Sequence, residues 1–206
     1  MRAAKDDWYR NRTWNGRIDS NFEDHLKRTR NNGNKAEYLQ IQGCCLLHST
    51  QANIREVGVA LLLRVLSDYP AEYISVLVAQ ESLGDYYLAQ KNYEQAAVFF
   101  KTVINHCNQQ HSRKGSSNMA DLKWAEAILK ANRTNEMEAA YKLVMEYPVA
   151  LLQLQQQKLY YAELAAHICQ RLDKKEAAAA FAATAISIKG NHPSLVSRFK
   201  KQVLEG

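Results

Sequence analysis

The stretch from Leu83 to Phe100, LGDYYLAQKNYEQAAVFF, constrains this chain more than any other. Leu83 and Gly84 stand side by side and Tyr87 follows one turn on; Tyr93, Ala96 and Phe100 repeat a large–small–large order one helix later. Packing explains that order. Two antiparallel helices approach closely only where each offers a small residue, here Gly84 and Ala96. Leu83, Tyr87, Tyr93 and Phe100 then fill the seam around the contact. The stretch predicts a helix hairpin, about 71–90 followed by 93–106.

The same arrangement returns along the chain. Leu39, Gly43 and Leu46 predict a helix over about 35–49, and Gly58, Leu62 and Val65 its partner over 54–69. Trp124 and Ala140 mark a third pair, 119–131 with 136–147. Tyr161, Leu164, Ala165, Ala177 and Phe181 mark a fourth. Pro70, Pro148 and Pro193 each follow an apolar-periodic segment, where proline commonly ends a helix. The expectation is an all-α array over 35–206 with repeats near 35–70, 71–107, 119–148 and 149–192.

Both ends read as caps, which a stack of repeats requires. In the N-terminal segment, 1–34, the spacing of Ile18, Phe22 and Leu26 predicts a helix from about Asp19 to Arg30. Ser20 and Glu23 are placed as its capping box. Trp8 and Trp14 seal the end of the stack, and Asn31-Asn32-Gly33-Asn34 breaks the chain before the first pair. At the other end, Leu195, Val196, Phe199 and Val203 form one stripe of a capping helix over 193–204. The polar, basic residues 108–118 read as a flexible loop between repeats.

Composition narrows the class. With only 8 Gly and 3 Pro in 206 residues, the chain lacks the punctuation of an all-β fold. The most apolar run, Val57 to Leu66, is about half a membrane span and contains Arg64. The opening residues are polar and charged, unlike a secretory leader. A soluble, cytoplasmic protein is expected, with Cys44, Cys45, Cys107 and Cys169 as reduced thiols, since no C-x-x-C pair is present. The formal net charge is +6, and residues 1–35 hold nine Lys/Arg against five acids. A nucleic-acid surface built on Arg10, Arg12, Arg17, Lys27, Arg28 and Arg30 is one reading. A solvated helix face is the readier one, because the charges are mixed and no nucleic-acid motif accompanies them.

On these residues the chain resembles the tetratricopeptide-repeat family, most strongly over 77–104 and 158–185. There L-G-x2-Y and A-x3-F stand in register, with Ala165 replacing the glycine in the second segment. A narrower likeness covers Asp7-Trp8-Tyr9-Arg10-Asn11, Trp14-Asn15, Phe22, Leu26, Arg28, Arg30, Tyr38-Leu39 and Ile41-Gln42. That block is similar to the opening of a group of bacterial tetratricopeptide-repeat proteins without an assigned activity; Arg12 and Arg17 depart from it. The resemblance implies a right-handed solenoid with a concave groove, lined by the first helix of each pair, that engages another protein. It places Gln40, Cys44, Leu47 and His48 in the groove, with Glu81, Ser82, Asp85 and Leu88 from the central repeat, and Glu163, Ala166 and Cys169 from the fourth. The carboxylate clamp of chaperone-binding members needs Lys and Asn at such positions. The central repeat is instead acidic, which suits a neutral or basic segment with an apolar anchor.

Motifs for chemistry are missing: there is no Walker loop, G-x-G-x-x-G, H-E-x-x-H or G-x-S-x-G. His106, Cys107 and His111 come nearest to a metal cluster but lack a fourth ligand. No catalytic, cofactor or metal site is expected. The expected role is a non-catalytic interaction scaffold. The alternatives are a nucleic-acid-associated regulator using the basic N-terminal segment, and a structural protein that self-associates through Trp8 and Trp14.

Overall fold

A computed structural model describes residues 7–191, which hold nine α-helices and no strand. The chain divides into two compact units, Met1–Ser117 and Asn118–Gly206. The division falls in the segment that the sequence reads as a loop between repeats. In each unit, helices consecutive in sequence pack on one another, as in a helical repeat.

The first unit contains α1 (Gly16–Arg28), α2 (Asn32–Leu47), α3 (Ala52–Asp68), α4 (Tyr73–Ala89) and α5 (Tyr93–Gln109). Helices α2 and α3 form one hairpin and α4 and α5 the next, with α4 also lying against both α2 and α3. The small residues sit where the helices meet. A Cβ on Gly84 would fall 2.6–2.9 Å from three ring atoms of Phe100, and one on Gly43 2.7 Å from Leu62 Cγ. Gly58 completes the second contact, since its Cβ would lie 2.9 Å from the Gly43 carbonyl oxygen. Around them Phe22, Leu39, Leu46, Leu62, Val65 and Leu83 are buried in one core.

The start of the first unit differs from the sequence reading. Helix α1 begins earlier, because the Asn15 side chain accepts from Arg17 N and Ile18 N, both at 3.0 Å. Ser20 is no cap: it lies inside the helix and donates to the Gly16 carbonyl. Glu23 instead binds Arg64 of α3. The asparagine run is also no break, for the Asn31 side chain accepts from Asn34 N (3.0 Å) and caps α2. Both tryptophans turn inward, Trp8 packing on Phe22, His25 and Tyr38, and Trp14 on Phe22. Each ring is half-buried by these contacts.

The second unit contains α6 (Ala120–Lys130), α7 (Met137–Met145), α8 (Gln155–Arg171) and α9 (Lys175–Asn191). Single-turn 3-10 segments, Thr134–Glu136 and Val149–Leu151, precede α7 and α8. Helix α6 pairs with α7 and α8 with α9, while α8 reaches both α6 and α7. The Tyr161 ring meets Phe181 edge-on at 5.9 Å, the contact that the fourth-pair spacing anticipates. Trp124, Ala140, Leu164 and Ala165 are buried. The expected capping helix over 193–204 lies outside the described residues.

A local repeat unites the pairs. Helices α4, α6 and α8 end at residues 89, 130 and 171, and each is followed two residues on by a left-handed residue: Lys91, Asn132 and Asp173. In each turn the next N–H returns to the carbonyl of the third-last helical residue: Asn92 to Tyr87, Arg133 to Ile128 and Lys174 to Cys169. This is the Schellman closure, which satisfies carbonyls that a helix end leaves bare. The left-handed residues thus recur at an interval of 41 residues, from 91 to 132 to 173. No helix among the described residues is long and apolar enough to cross a membrane.

Candidate functional site

In the first unit α2, the start of α3 and the C-terminal half of α4 enclose an open cavity of about 310 Å3. Cys44, Leu47 and His48 line it from the end of α2, and Ser82, Asp85, Tyr86 and Ala89 from α4. The spacing explains the lining, because side chains three or four apart share a helix face. The two walls are joined by polar contacts. Gln40 Nε2 donates to Cys44 Sγ at 3.4 Å, and Cys44 Sγ lies 3.3 Å from Ser82 Oγ. Arg55 closes the lower end: its Nη1 donates to the carbonyls of Ser49 and Thr50, each at 3.0 Å, bridging the α2–α3 turn. Its Nε is buried without a partner.

The cavity is therefore two-sided in charge, with the Asp85 carboxylate on one helix and the Arg55 guanidinium on another. Leu47, Ala89 and the Tyr86 ring supply apolar wall between them. Cys45, one residue along from Cys44, does not line it. Burial chiefly, and then the neighbouring Cys44, pushes the Cys45 thiol up, opposed by Arg10 and Arg12. A protonated thiol is a poor nucleophile.

The structure thus gathers Cys44, Leu47, His48, Ser82 and Asp85 around one opening, with Gln40 bonded just behind them. Five other expected groove residues stand elsewhere. Glu81 faces residues 112–117, where Ser117 N donates to Glu81 Oε2 at 2.8 Å and Ser117 Oγ to its other oxygen. That contact corrects the reading of 108–118 as a free loop. Helix α5 covers its first two residues, Tyr73 Oη donates to the Ser112 carbonyl at 3.5 Å, and Gly115 sits against Ile74 and Leu77. Leu88 is 3% exposed and offers no groove surface. Glu163 belongs to the second unit, buried there against Lys189 Nζ at 2.8 Å. Its neighbours on α8 are no more open: Ala166 is half-buried, and Cys169 is buried with its thiol pushed up by burial against the opposing Lys174.

Arg55, Tyr86 and Gln90 line the cavity but escaped the sequence reading. Arg55 had a legible signal: a cation one turn into a following helix can reach back to the bare carbonyls of the helix before it. For the remaining candidates the geometry is local. His106 Nδ1 lies 3.1 Å from Gln80 Oε1, and no group of three or more His, Cys, Asp or Glu among the described residues could hold a metal. Arg10 lies 3.9 Å from Asp7 and over the Tyr9 ring. Arg17 and Arg28 share the exposed side of α1, with Asp24 between them.

Set against protein-family models, curated proteins and solved structures, the chain gives no match.

Proposed function

We propose that this chain is a non-catalytic interaction module, a right-handed tetratricopeptide-like solenoid whose α2–α4 cavity takes a segment of another protein. One observation carries the reading. Residues that pairwise helix packing does not dictate, Cys44, His48, Ser82 and Asp85, converge from the first helices of two successive pairs on one opening. A segment that suits it presents a neutral or basic side chain to Asp85 and an apolar anchor to Leu47, Ala89 and the Tyr86 ring. Arg55 offers a fixed donor for a backbone carbonyl of the same segment. Four free cysteines, two of them buried, suit a reducing compartment such as the cytoplasm.

An array of 12-residue synthetic peptides of varied charge tests this directly. The reading expects retention of neutral and basic peptides that carry one large apolar residue, and loss of that retention in Asp85→Lys. A wild-type preference for acidic peptides would defeat it, as would equal retention by the variant.

A further inference from the structure

Residues 112–117, SRKGSS, lie on α4 of the first unit much as a bound peptide would. Two features of the contact are specific. Ser117 gives both of its donors to one carboxylate, its N–H to Glu81 Oε2 at 2.8 Å and its hydroxyl to Oε1. Two residues earlier Gly115 holds φ of +94° beside the helix, where a Cβ would stand 3.4 Å from Ile74 Cγ2 and 3.6 Å from Leu77 Cδ2. Glycine adopts that backbone without steric cost. Serine and threonine carry a hydroxyl next to their own N–H, the pair of donors that a carboxylate takes on its two oxygens. The α4 surface is thus shaped for glycine, any residue, then serine or threonine.

The segment also holds its own shape. Ser116 N and Oγ both donate to the Arg113 carbonyl, at 3.0 and 3.1 Å, and Lys114 N donates to Ser112 Oγ at 3.2 Å. These bonds are local, so lifting the segment from α4 need not undo its turn. Ser112, Lys114 and Ser117 are exposed, whereas Glu81 is 6% exposed. Lifting strips two donors from a buried carboxylate, and hydrogen bonds to a charged acceptor are the strong ones. An incoming segment that brings the same two donors restores them, so exchange costs less than simple opening. Because α5 ends at Gln109, the segment stays tethered beside its site and competes at high effective concentration.

We propose that α4 carries a recognition site for a Gly-x-Ser or Gly-x-Thr segment of a partner protein, filled in cis by Gly115, Ser116 and Ser117 as an autoinhibitory strap. Glu81 takes the N–H and hydroxyl of the serine or threonine, and Ile74 and Leu77 receive the glycine backbone. None of Ile74, Leu77 and Glu81 lines the α2–α4 cavity, so the inference stands apart from the reading of that cavity.

The test uses the full chain and, as probe, a synthetic peptide of residues 110–118 blocked at both ends. Ser117→Pro in the protein removes both donors and frees the strap. Trypsin should then cut after Arg113 and Lys114 about tenfold or more faster than in the wild type, the margin of one hydrogen bond to a charged group. The peptide should shift the methyl resonances of Ile74 and Leu77 in Ser117→Pro. It should bind the wild type about tenfold or more weakly, because the strap leaves few sites open. A peptide that carries Ser117→Ala should bind the Ser117→Pro protein about tenfold more weakly than the parent peptide does. Should Ser117→Pro fail to fold, Ser117→Ala in the protein drops the hydroxyl alone and should move both readouts the same way. Equal cleavage of wild type and variant overturns the strap. Equal binding of the peptide to both proteins, binding to neither, or an alanine peptide that binds undiminished overturns the site.

Discussion

Replacing Gly84 with alanine sets two opposing effects against each other where α4 meets α5. The new methyl would stand 2.6–2.9 Å from three atoms of the Phe100 ring, whereas carbon atoms rest about 3.5–4.0 Å apart. Phe100 is wholly buried, so its ring cannot swing into solvent. Overpacking of this kind costs about 1–3 kcal/mol, and this approach is close enough to sit in the upper half of that range. Alanine returns about 1 kcal/mol through its better helix propensity. The net loss should be about 1–2 kcal/mol. Shortening the ring reverses the balance: in a Phe100→Leu background the clash relaxes, and Gly84→Ala should be neutral or stabilising by up to about 1 kcal/mol. Urea unfolding followed by circular dichroism, taken around the four-member cycle, reads the sign directly. An alanine that stabilises the wild type, or costs the same in both backgrounds, would refute the close approach of α4 and α5.

Other consequences are simpler. Gln42 is fully buried and clamps Asn11: its Oε1 accepts from Asn11 N and Nδ2 (2.9 and 3.0 Å), and its Nε2 donates to the Asn11 carbonyl at 2.8 Å. Gln42→Ala should cost about 2–3 kcal/mol and speed proteolysis before Asn15; unchanged cleavage would contradict the clamp. Lys91 holds φ of 60° at the end of α4, so Lys91→Gly should gain up to about 1 kcal/mol, and a destabilised variant would speak against the Schellman turn. Burial pushes the Cys169 thiol and the Tyr161 hydroxyl above their ordinary values of 9.0 and 10.0. Unfolding lets both ionise more readily, so stability is intact below about pH 9 and declines as pH rises through those values. Cys169→Ala should flatten that alkaline decline, as measured by urea midpoints at pH 7 to 10.5.

The hairpins were legible because their signal is local. Gly43, Gly58, Gly84, Phe100 and Phe181 declare small-against-large contacts at helical spacing, and the structure uses them so. Contacts between residues distant in sequence were not legible. Asn11 and Gln42 both stand in the N-terminal block of the family likeness, yet nothing in a linear pattern says that they bond across 31 residues. The same limit hid the Ser117–Glu81 contact, which turns an expected groove acid into an anchor for the chain's own segment. Leu88 was misplaced for another reason: an offset from a small residue identifies a helix face but not whether a neighbour covers it. The start of α1 went astray because Asn15 and Ser20 are both good caps, and the choice between them depends on Glu23 being drawn to Arg64 on α3. At the cavity, the α2 and α4 walls could be read from spacing, while Arg55 arrived from the second helix of a pair.

The most direct test of the interaction reading is affinity capture from a lysate of the source cells, comparing the wild type with Asp85→Lys. A parallel arm carries Arg17→Ser and Arg28→Ser, and each capture is run with and without nuclease. The α2–α4 cavity predicts a protein retained by the wild type and by the arginine variant, lost from Asp85→Lys and indifferent to nuclease. Equal recovery by Asp85→Lys, or recovery that nuclease abolishes, would contradict it.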